Sequence, residues 1–280
     1  MKLAVSNIAW YAAEDAHVVP LFRKWRITGL EVAPTKVWSR PLETPAERIG
    51  AHRRWWNDHG VEIVSTQALL FGRPDLQLFG DTTQREAMFA HLTAMIELSA
   101  RLGARAAVFG SPRNRIVAGV DPIRAREIAT AFFSGLGRVA TDHGVVLCLE
   151  ANPPLYGGDF VLTTDEAIEL VEAVGHPGFR LQIDTGTMTA NGENYERSLK
   201  RGLALAGHCH ISEPNLAEVG SVGTNHRHIA ATWRRIGYGG WVSIEMRAPE
   251  AGASIDSLDR ALALVRSVYG WDLQPVGGAA

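Results

Sequence analysis

The chain has 280 residues, of which 46% are hydrophobic and 21% are charged, and its formal net charge at pH 7 is −2. The near balance of 28 basic and 30 acidic residues excludes the cationic field typical of proteins that bind nucleic acids. No run reaches the roughly 18 consecutive apolar residues of a membrane-spanning helix, and the first residues lack the pattern of a secretory signal. The two cysteines, Cys148 and Cys209, lie in strand-like segments, which fits a reducing compartment. We therefore expect a cytoplasmic protein with no membrane or nucleic-acid partner.

Short β-branched or apolar runs alternate with longer stretches of helical periodicity along the chain. In the stretch 84–102, for example, Met88, Leu92, Met95 and Ile96 recur at helical intervals. Eight of the short runs predict strands, at residues 3–8, 29–33, 61–66, 105–110, 146–151, 180–184, 206–211 and 241–246. Such alternation is typical of βαβ units and a parallel sheet.

Eight units without an intervening linker predict an α/β fold consisting of a single (β/α)8 TIM barrel. We assign residues 1–272 to the barrel and residues 273–280, which end in Gly-Gly-Ala-Ala, to a flexible carboxyl-terminal tail. The alternative is an open doubly wound sheet. However, the first strand lacks the glycine fingerprint that dinucleotide-binding sheets of that kind carry.

Four ionisable side chains stand at the ends of four successive predicted strands. They are Glu150, Asp184, His210 and Glu245, and each closes an otherwise apolar strand. One such residue alone would more often be a helix cap or an ion-pair partner. In a barrel, however, these ends meet at one face, and burying several carboxylates together implies a compensating cation. Three carboxylates and one imidazole suit one divalent ion, Mn²⁺, Mg²⁺ or Co²⁺, with Zn²⁺ also possible.

A second layer lies beneath these four residues, because side chains two positions apart on a strand share a face. It comprises Cys148, Gln182, His208 and Ser243. We expect Gln182 and His208 to orient the metal ligands through hydrogen bonds, although His208 fits a buried core histidine equally well. Cys148 and Cys209 are predicted to be packing residues.

The loops after predicted strands 1, 2, 4 and 5 carry candidate substrate-binding residues. Arg113 and Arg115 follow strand 4, and a guanidinium group suits bidentate contact with a carboxylate or phosphate. Trp10 and Trp38 would form an apolar wall against a sugar face, and Tyr156 lies in a proline-rich loop after strand 5. Each arginine alone also fits a solvated loop, and each tryptophan an ordinary residue of the barrel rim.

Two stretches and the four strand endings together resemble the xylose-isomerase-like TIM-barrel superfamily. The stretches are His-Cys-His-Ile-Ser-Glu-Pro-Asn at 208–215 and Gly-Tyr-Gly-Gly-Trp-Val-Ser-Ile-Glu at 237–245. More narrowly, they are similar to the sugar phosphate isomerase/epimerase group that includes the D-tagatose and D-psicose 3-epimerases. The resemblance implies one divalent metal ion held by Glu150, Asp184, His210 and Glu245, with the first and last of these as the catalytic acid/base pair. It also implies a small-molecule sugar substrate and a homo-oligomer.

The chain departs from the ketose 3-epimerases at three positions. Those enzymes carry a histidine three residues after the metal aspartate, where this chain has Thr187. They carry a glutamate where this chain has Tyr156, and an arginine where it has Leu216. Because the family uses these side chains to grip the first three carbons of the sugar, the substrate is expected to differ from a free ketohexose.

The residues and the resemblance together predict a metal-dependent isomerase or epimerase. It would transfer a proton α to a carbonyl, through an enediolate, on a ketose or keto-sugar derivative. One alternative is a metal-dependent lyase or dehydratase that expels a β-leaving group from a keto-sugar or related polyol.

Two further alternatives have less support from the residues. A catalytically inactive barrel that only binds a sugar has little use for two carboxylates beside a metal. An endonuclease acting on abasic DNA would need more histidines at strand ends, and the net charge of −2 opposes DNA binding.

Overall fold

The computed structural model describes residues 1–117 and 119–270. Within them, eight parallel strands pair in chain order and the last pairs with the first, which closes a barrel. They are β1 (Lys2–Ser6), β2 (Gly29–Val32), β3 (Glu62–Thr66), β4 (Ala106–Phe109), β5 (Val146–Glu150), β6 (Phe179–Asp184), β7 (Ala206–Ser212) and β8 (Trp241–Glu245). The predicted TIM barrel is confirmed, and the open-sheet alternative is wrong. The predicted tail at 273–280 lies outside the described residues.

Helices surround the barrel and connect its strands. They are α1 (Asp15–Trp25), α2 (Pro34–Val37), α3 (Ala46–Asp58), α4 (Thr82–Leu102), α5 (Pro122–Asp142), α6 (Thr164–Val174), α7 (Thr185–Ala190), α8 (Tyr195–Gly202), α9 (His226–Ile236) and α10 (Ser254–Tyr269). Short 3₁₀ helices lie at Asn7–Ala9, Ala12–Glu14, Pro41–Glu43, Pro112–Asn114, Pro154–Tyr156 and Pro214–Leu216. None of the helices in the described part of the chain is both long enough and apolar enough to cross a membrane.

Local sequence signals define where the outer helices begin and end. The carboxylate of Asp121 accepts hydrogen bonds from the first backbone amides of α5, and Pro122 occupies the first helical position. The Thr163 hydroxyl caps α6 in the same way, and Gly175 ends that helix in the left-handed conformation with φ of 59°. These caps fix the lengths of the helices and therefore the short loops that return the chain to the barrel.

Strand pairing brings four strand ends to one face of the barrel. In the register between β6 and β7, Asp184 lies opposite His210, and in the register between β7 and β8, Ser212 lies opposite Glu245. Glu150 is the last residue of β5. The loops that follow these strands therefore surround a common site, as expected for the carboxyl-terminal face of this fold.

Candidate metal centre

The four strand-end residues predicted as metal ligands lie together. One ligand atom from each of Glu150, Asp184, His210 and Glu245 lies within 4.8 Å of the others. His210 Nδ1 is 3.4 Å from Glu150 Oε1, 3.7 Å from Asp184 Oδ2 and 3.1 Å from Glu245 Oε2. All four residues are buried. The arrangement is a small cage with three carboxylates around one ring nitrogen.

The two ring nitrogens of His210 have different surroundings. Nε2 lies 2.9 Å from Glu31 Oε1, whereas the buried Nδ1 has no hydrogen-bond partner among the described residues. In the neutral imidazole with Nε2–H donating to Glu31, the lone pair of Nδ1 faces the carboxylate oxygens. A buried nitrogen without a partner, surrounded by acidic oxygens, fits coordination to a divalent cation.

Asp184 is fixed by its place at the junction of β6 and α7. Its Oδ1 accepts a hydrogen bond of 2.5 Å from the backbone amide of Thr187, which makes it the cap of α7. Its Oδ2, which faces His210, also accepts a hydrogen bond of 2.6 Å from the Ser212 hydroxyl. Helix capping and metal binding are therefore compatible roles of this one carboxylate.

Glu31 is a functional candidate that was not predicted from the sequence. It lies in β2, is fully buried, and has acidic oxygens next to both histidines of β7. Its Oε1 lies beside His210, and its Oε2 lies 2.7 Å from His208 Nε2. The hydroxyls of Ser65 and Ser243 donate to the same Oε2 at 2.6 and 3.1 Å. The sequence does contain a sign of this role. Glu31 is a charged residue inside the otherwise apolar run Gly-Leu-Glu-Val, and every residue of that strand is buried.

Replacing Glu31 with glutamine is expected to lower the affinity for Mn²⁺ or Co²⁺ about 10- to 100-fold, the range for losing an outer partner of a ligating histidine. The amide cannot accept from both histidines, so His210 loses its fixed orientation. Isothermal titration calorimetry would measure the change. Glu62→Gln, which changes an exposed glutamate at the first position of the neighbouring strand β3, is the matched control, and equal affinity in the two variants would contradict this role.

The buried charges shift one another's pKa values. Burial alone would raise the pKa of Glu31, but His210 and His208 hold it well below its usual range. Burial alone would lower the pKa of His210, but Glu31 and Glu245 raise it well above the usual value. Burial raises the pKa of Glu245 to about 7, and His210 opposes this rise. A carboxyl group that titrates near neutral pH suits proton transfer.

The second layer matches the prediction only in part. His208 lies beside Glu31 and Ser243, and its ring packs edge-on against the ring of His210 at a separation of 5.5 Å. It makes no hydrogen bond to His210 and is linked to it in that way only through the Glu31 carboxylate. Neither amide atom of Gln182 has a hydrogen-bond partner among the described residues. The expectation that Gln182 orients a ligand by a hydrogen bond is therefore wrong. Cys148 is buried and free.

A cavity of about 590 Å³ opens above the four strand-end residues. Glu150, Asp184 and Glu245 belong to its wall. The wall also includes the three positions that differ from the ketose 3-epimerases and two exposed arginines, namely Tyr156, Thr187, Leu216, Arg113 and Arg247. Arg247, which follows β8, was not predicted from the sequence. Neither arginine forms an ion pair with an acidic residue in the described ranges.

Tyr156 lies in the cavity wall. Its hydroxyl accepts a hydrogen bond of 2.9 Å from the backbone amide of Asn215, which joins the loops after β5 and β7. Burial raises the pKa of Tyr156, as do the charges of Asp184, Glu150 and Glu245. The phenol therefore stays neutral and polar above the carboxylates.

The structure places both candidate tryptophans away from the cavity. Trp10 is buried, donates a hydrogen bond of 2.7 Å to Asp15, and packs edge-on against Phe22 at a ring separation of 5.9 Å. Trp38 packs against His52 of α3. The prediction of an apolar wall against the sugar is wrong. The chain turns sharply after Ser6 into a 3₁₀ helix, which carries Trp10 outward between the barrel and its helices.

Arg115 is also not at the predicted rim position. It is fully buried, and its guanidinium group donates to the backbone carbonyl oxygens of Glu150 and Phe160. It therefore joins the end of β5, at Glu150, to the loop that follows, at Phe160, rather than facing a ligand from the cavity wall. The 3₁₀ helix Pro112–Asn114 reverses the chain between Arg113 and Arg115, which explains why two residues so close in sequence have opposite environments.

Glu213 holds the loop that follows β7. Its two oxygens accept hydrogen bonds from the backbone amides of Gly220 and Thr224 and from the Thr224 hydroxyl, and His226 Nε2 lies 3.1 Å away. Burial raises the pKa of Glu213, but these partners outweigh it and lower the pKa to about 2. The carboxylate therefore stabilises the loop next to the cavity.

Replacing Glu213 with glutamine is expected to lower the free energy of unfolding at pH 7 by about 1–3 kcal/mol. The folded pKa of about 2 lies below the usual 4.5, so the carboxylate contributes fully above that usual value and less as the pH falls from there towards 2. Urea denaturation at pH 7 and pH 3 would test this. The difference between parent and variant should shrink at pH 3, and a difference that does not depend on pH would contradict the assignment.

The family model for the xylose isomerase-like TIM barrel matches residues 22–267. The chain belongs to this family. The resemblance expected from the strand endings is thereby confirmed. Among curated proteins, no significant match is found.

Solved structures with the same fold include several sugar epimerases. A D-psicose 3-epimerase crystallised in the presence of D-fructose has a TM-score of 0.80 at 20% identity, and the match covers 97% of this chain and 100% of that chain. The 3-keto-D-glucoside 4-epimerase YcjR from E. coli has a TM-score of 0.78 at 17% identity, covering 95% and 99%. The IOLI protein with a bound zinc atom has a TM-score of 0.74 at 17% identity, covering 98% and 100%. At these identities the likeness concerns the fold.

Proposed function

We propose that this protein is a divalent-metal-dependent sugar isomerase or epimerase. The observation that carries the proposal is the convergence of Glu150, Asp184, His210 and Glu245 at the floor of a cavity of about 590 Å³. A cavity of this size accommodates a small molecule such as a sugar derivative. The epimerases among the solved structures with this fold support the same class of reaction.

The donor set fits one hard or borderline divalent ion. Three carboxylates and one imidazole suit Mn²⁺, Mg²⁺ or Co²⁺, and Zn²⁺ is also compatible. The bare Nδ1 of His210 supports this assignment. When bound, the ion would act as a Lewis acid towards adjacent carbonyl and hydroxyl oxygens of the substrate.

Glu150 and Glu245 are the proposed acid/base pair. Both carboxylates line the cavity, and they come from the strands on either side of β6 and β7. One would remove the proton α to the substrate carbonyl, which gives an enediolate, and the other would return a proton. Return to the same carbon from the opposite face inverts it, whereas return to the neighbouring carbon isomerises the sugar. Asp184 and His210 act as ligands in this proposal.

Solvent exchange tests the reaction directly. The protein, loaded with Mn²⁺ or treated with a chelator, would be incubated in D₂O with a panel of ketoses, keto-glycosides and their acidic derivatives, and products would be followed by NMR. We expect deuterium to enter the carbon next to the carbonyl only in the metal-loaded protein. Binding without exchange across the panel would favour the inactive-barrel alternative over the proposal.

The same experiment distinguishes epimerisation from elimination. The lyase alternative gains support from the cavity wall, because Thr187, Tyr156 and Leu216 replace the groups expected to grip a ketose. Elimination would give a dehydrated product that has lost a β-substituent, whereas an isomerase or epimerase conserves the substrate's mass apart from the deuterium. A dehydrated product would therefore overturn the proposed outcome while leaving the metal site in place.

Arg113 is the proposed contact for an anionic substrate group. It is exposed in the cavity wall and has no acidic partner among the described residues. Arg113→Ala is expected to raise KM for a carboxylated or phosphorylated substrate about 10- to 100-fold, corresponding to about 1.5–3 kcal/mol for a charged hydrogen bond. KM for an uncharged analogue should stay unchanged and serves as the internal control. Equal changes in KM for both substrates would show that Arg113 does not bind the anionic group.

A further inference from the structure

Arg115 is a buried cation next to the proposed metal site. None of its side chain is exposed, and burial lowers its pKa only to about 10, so it stays charged at neutral pH. It lies over the ring of Phe109 at 5.6 Å and forms no ion pair with an acidic residue within the described ranges. Burying a charge in this way destabilises a fold unless nearby groups compensate it. Glu150 is the nearby anion whose charge favours the protonated guanidinium.

Three hydrogen bonds link the guanidinium group to Glu150, one directly and two in series through Asn152. Arg115 Nη2 donates to the backbone carbonyl oxygen of Glu150 at 2.8 Å and to Asn152 Oδ1 at 2.8 Å. Asn152 Nδ2 then donates to Glu150 Oε2 at 3.2 Å. Because a guanidinium group can only donate, it holds the Asn152 oxygen towards itself and leaves the amide nitrogen facing Glu150. Arg115 thus acts on both the backbone and the side chain of that residue.

These contacts give the two oxygens of Glu150 different surroundings. Oε1 lies 3.4 Å from His210 Nδ1, on the side of the proposed metal. Oε2 accepts from Asn152 and packs so closely over Gly110 that a Cβ at that position would overlap it. The carboxylate is therefore confined on one side by a bare glycine and held on the other by a donor whose direction Arg115 sets.

We propose that Arg115 is a positioning residue that, through the Glu150 backbone and the Asn152 amide, holds the Glu150 carboxylate with Oε1 towards the metal. This inference rests on the metal site proposed above. This positioning role gives a reason for the buried charge of Arg115, which the loop after β4 places beneath the loop after β5. It also assigns to Asn152 a role in orienting Glu150.

The test is Co²⁺ binding by the full-length protein, followed by the visible absorption of the ion and by calorimetry. Arg115→Met and Asn152→Ala are expected to weaken Co²⁺ binding about 10- to 100-fold and to change the absorption spectrum, because one ligand loses its fixed direction. Arg115→Lys retains the charge with a single donor group, so we expect an intermediate affinity. Arg105→Met, which removes an exposed arginine just before β4, is the matched control and should bind Co²⁺ like the parent.

The outcomes distinguish a failure of the positioning role of Arg115 from a failure of the proposed metal site. Parental affinity and spectrum in Arg115→Met and Asn152→Ala would overturn the positioning role while leaving the metal site standing. If Arg115→Met does not fold, Asn152→Ala carries the test, since it removes only the amide between Arg115 and Glu150. A parent protein that binds no Co²⁺ would overturn the metal site and this inference together.

Discussion

Glu245→Gln is expected to lower turnover about 100-fold or more while the fold and much of the metal affinity remain, as is usual for the loss of a positioned acid/base. The glutamine side chain keeps an oxygen that can ligate, but it cannot take up and return a proton at neutral pH. In the parent, burial raises the pKa of Glu245 to about 7, against the opposing effect of His210. The carboxyl group can exchange a proton with the substrate, and the amide removes this capacity.

Turnover would be measured with the substrate identified by solvent exchange, together with Co²⁺ affinity and the unfolding temperature. Glu250→Gln changes an exposed carboxylate in the loop after β8 and is the matched control. A Glu245→Gln variant with turnover within a few-fold of the parent would show that Glu245 is a ligand only. In that case Glu150 alone would have to move the proton.

Asp184→Asn is expected to have a different signature, with metal affinity falling more than 100-fold. Losing a ligand charge should exceed the about 10- to 100-fold cost of losing an outer partner. Asparagine can still cap α7 by accepting from the Thr187 amide, so the fold should remain intact. Turnover should then be restored in part by excess metal.

Calorimetry with Mn²⁺ would measure the affinity, and activity would be recorded as a function of metal concentration. Asp142→Asn, at the exposed end of α5, is the control for the loss of one negative charge. If Asp184→Asn binds metal like this control, Asp184 serves only as a helix cap. Its place in the proposed donor set would then have to be withdrawn.

The features that repeat along the chain could be predicted from the sequence. Each of the eight predicted strands overlaps an observed one, because buried parallel strands are short apolar runs that stand out between periodic helices. The strand-end positions of Glu150, Asp184, His210 and Glu245 followed from the same pattern, since parallel strands of a barrel present their carboxyl ends at one face.

Contacts that depend on where a loop turns could not be predicted in this way. Trp10 and Arg115 follow strands β1 and β4, but short 3₁₀ helices redirect both away from the cavity. Glu31 escaped notice because it lies inside a strand rather than at its end, and only the packing of β2 across the barrel brings it to His210. Arg247 was missed because a single exposed arginine after a strand has no periodic signal.

A crystal structure of the protein soaked in Mn²⁺, with anomalous scattering recorded for the ion, tests the central claim most directly. We expect one strong peak bounded by Glu150, Asp184, His210 and Glu245, with oxygen ligands at about 2.0–2.6 Å. Glu31 should lie outside the coordination sphere and accept from His210. An ion held instead between Glu31, His208 and His210, which also form a compact acidic and histidine cluster, or no ion at this end of the barrel, would contradict the account.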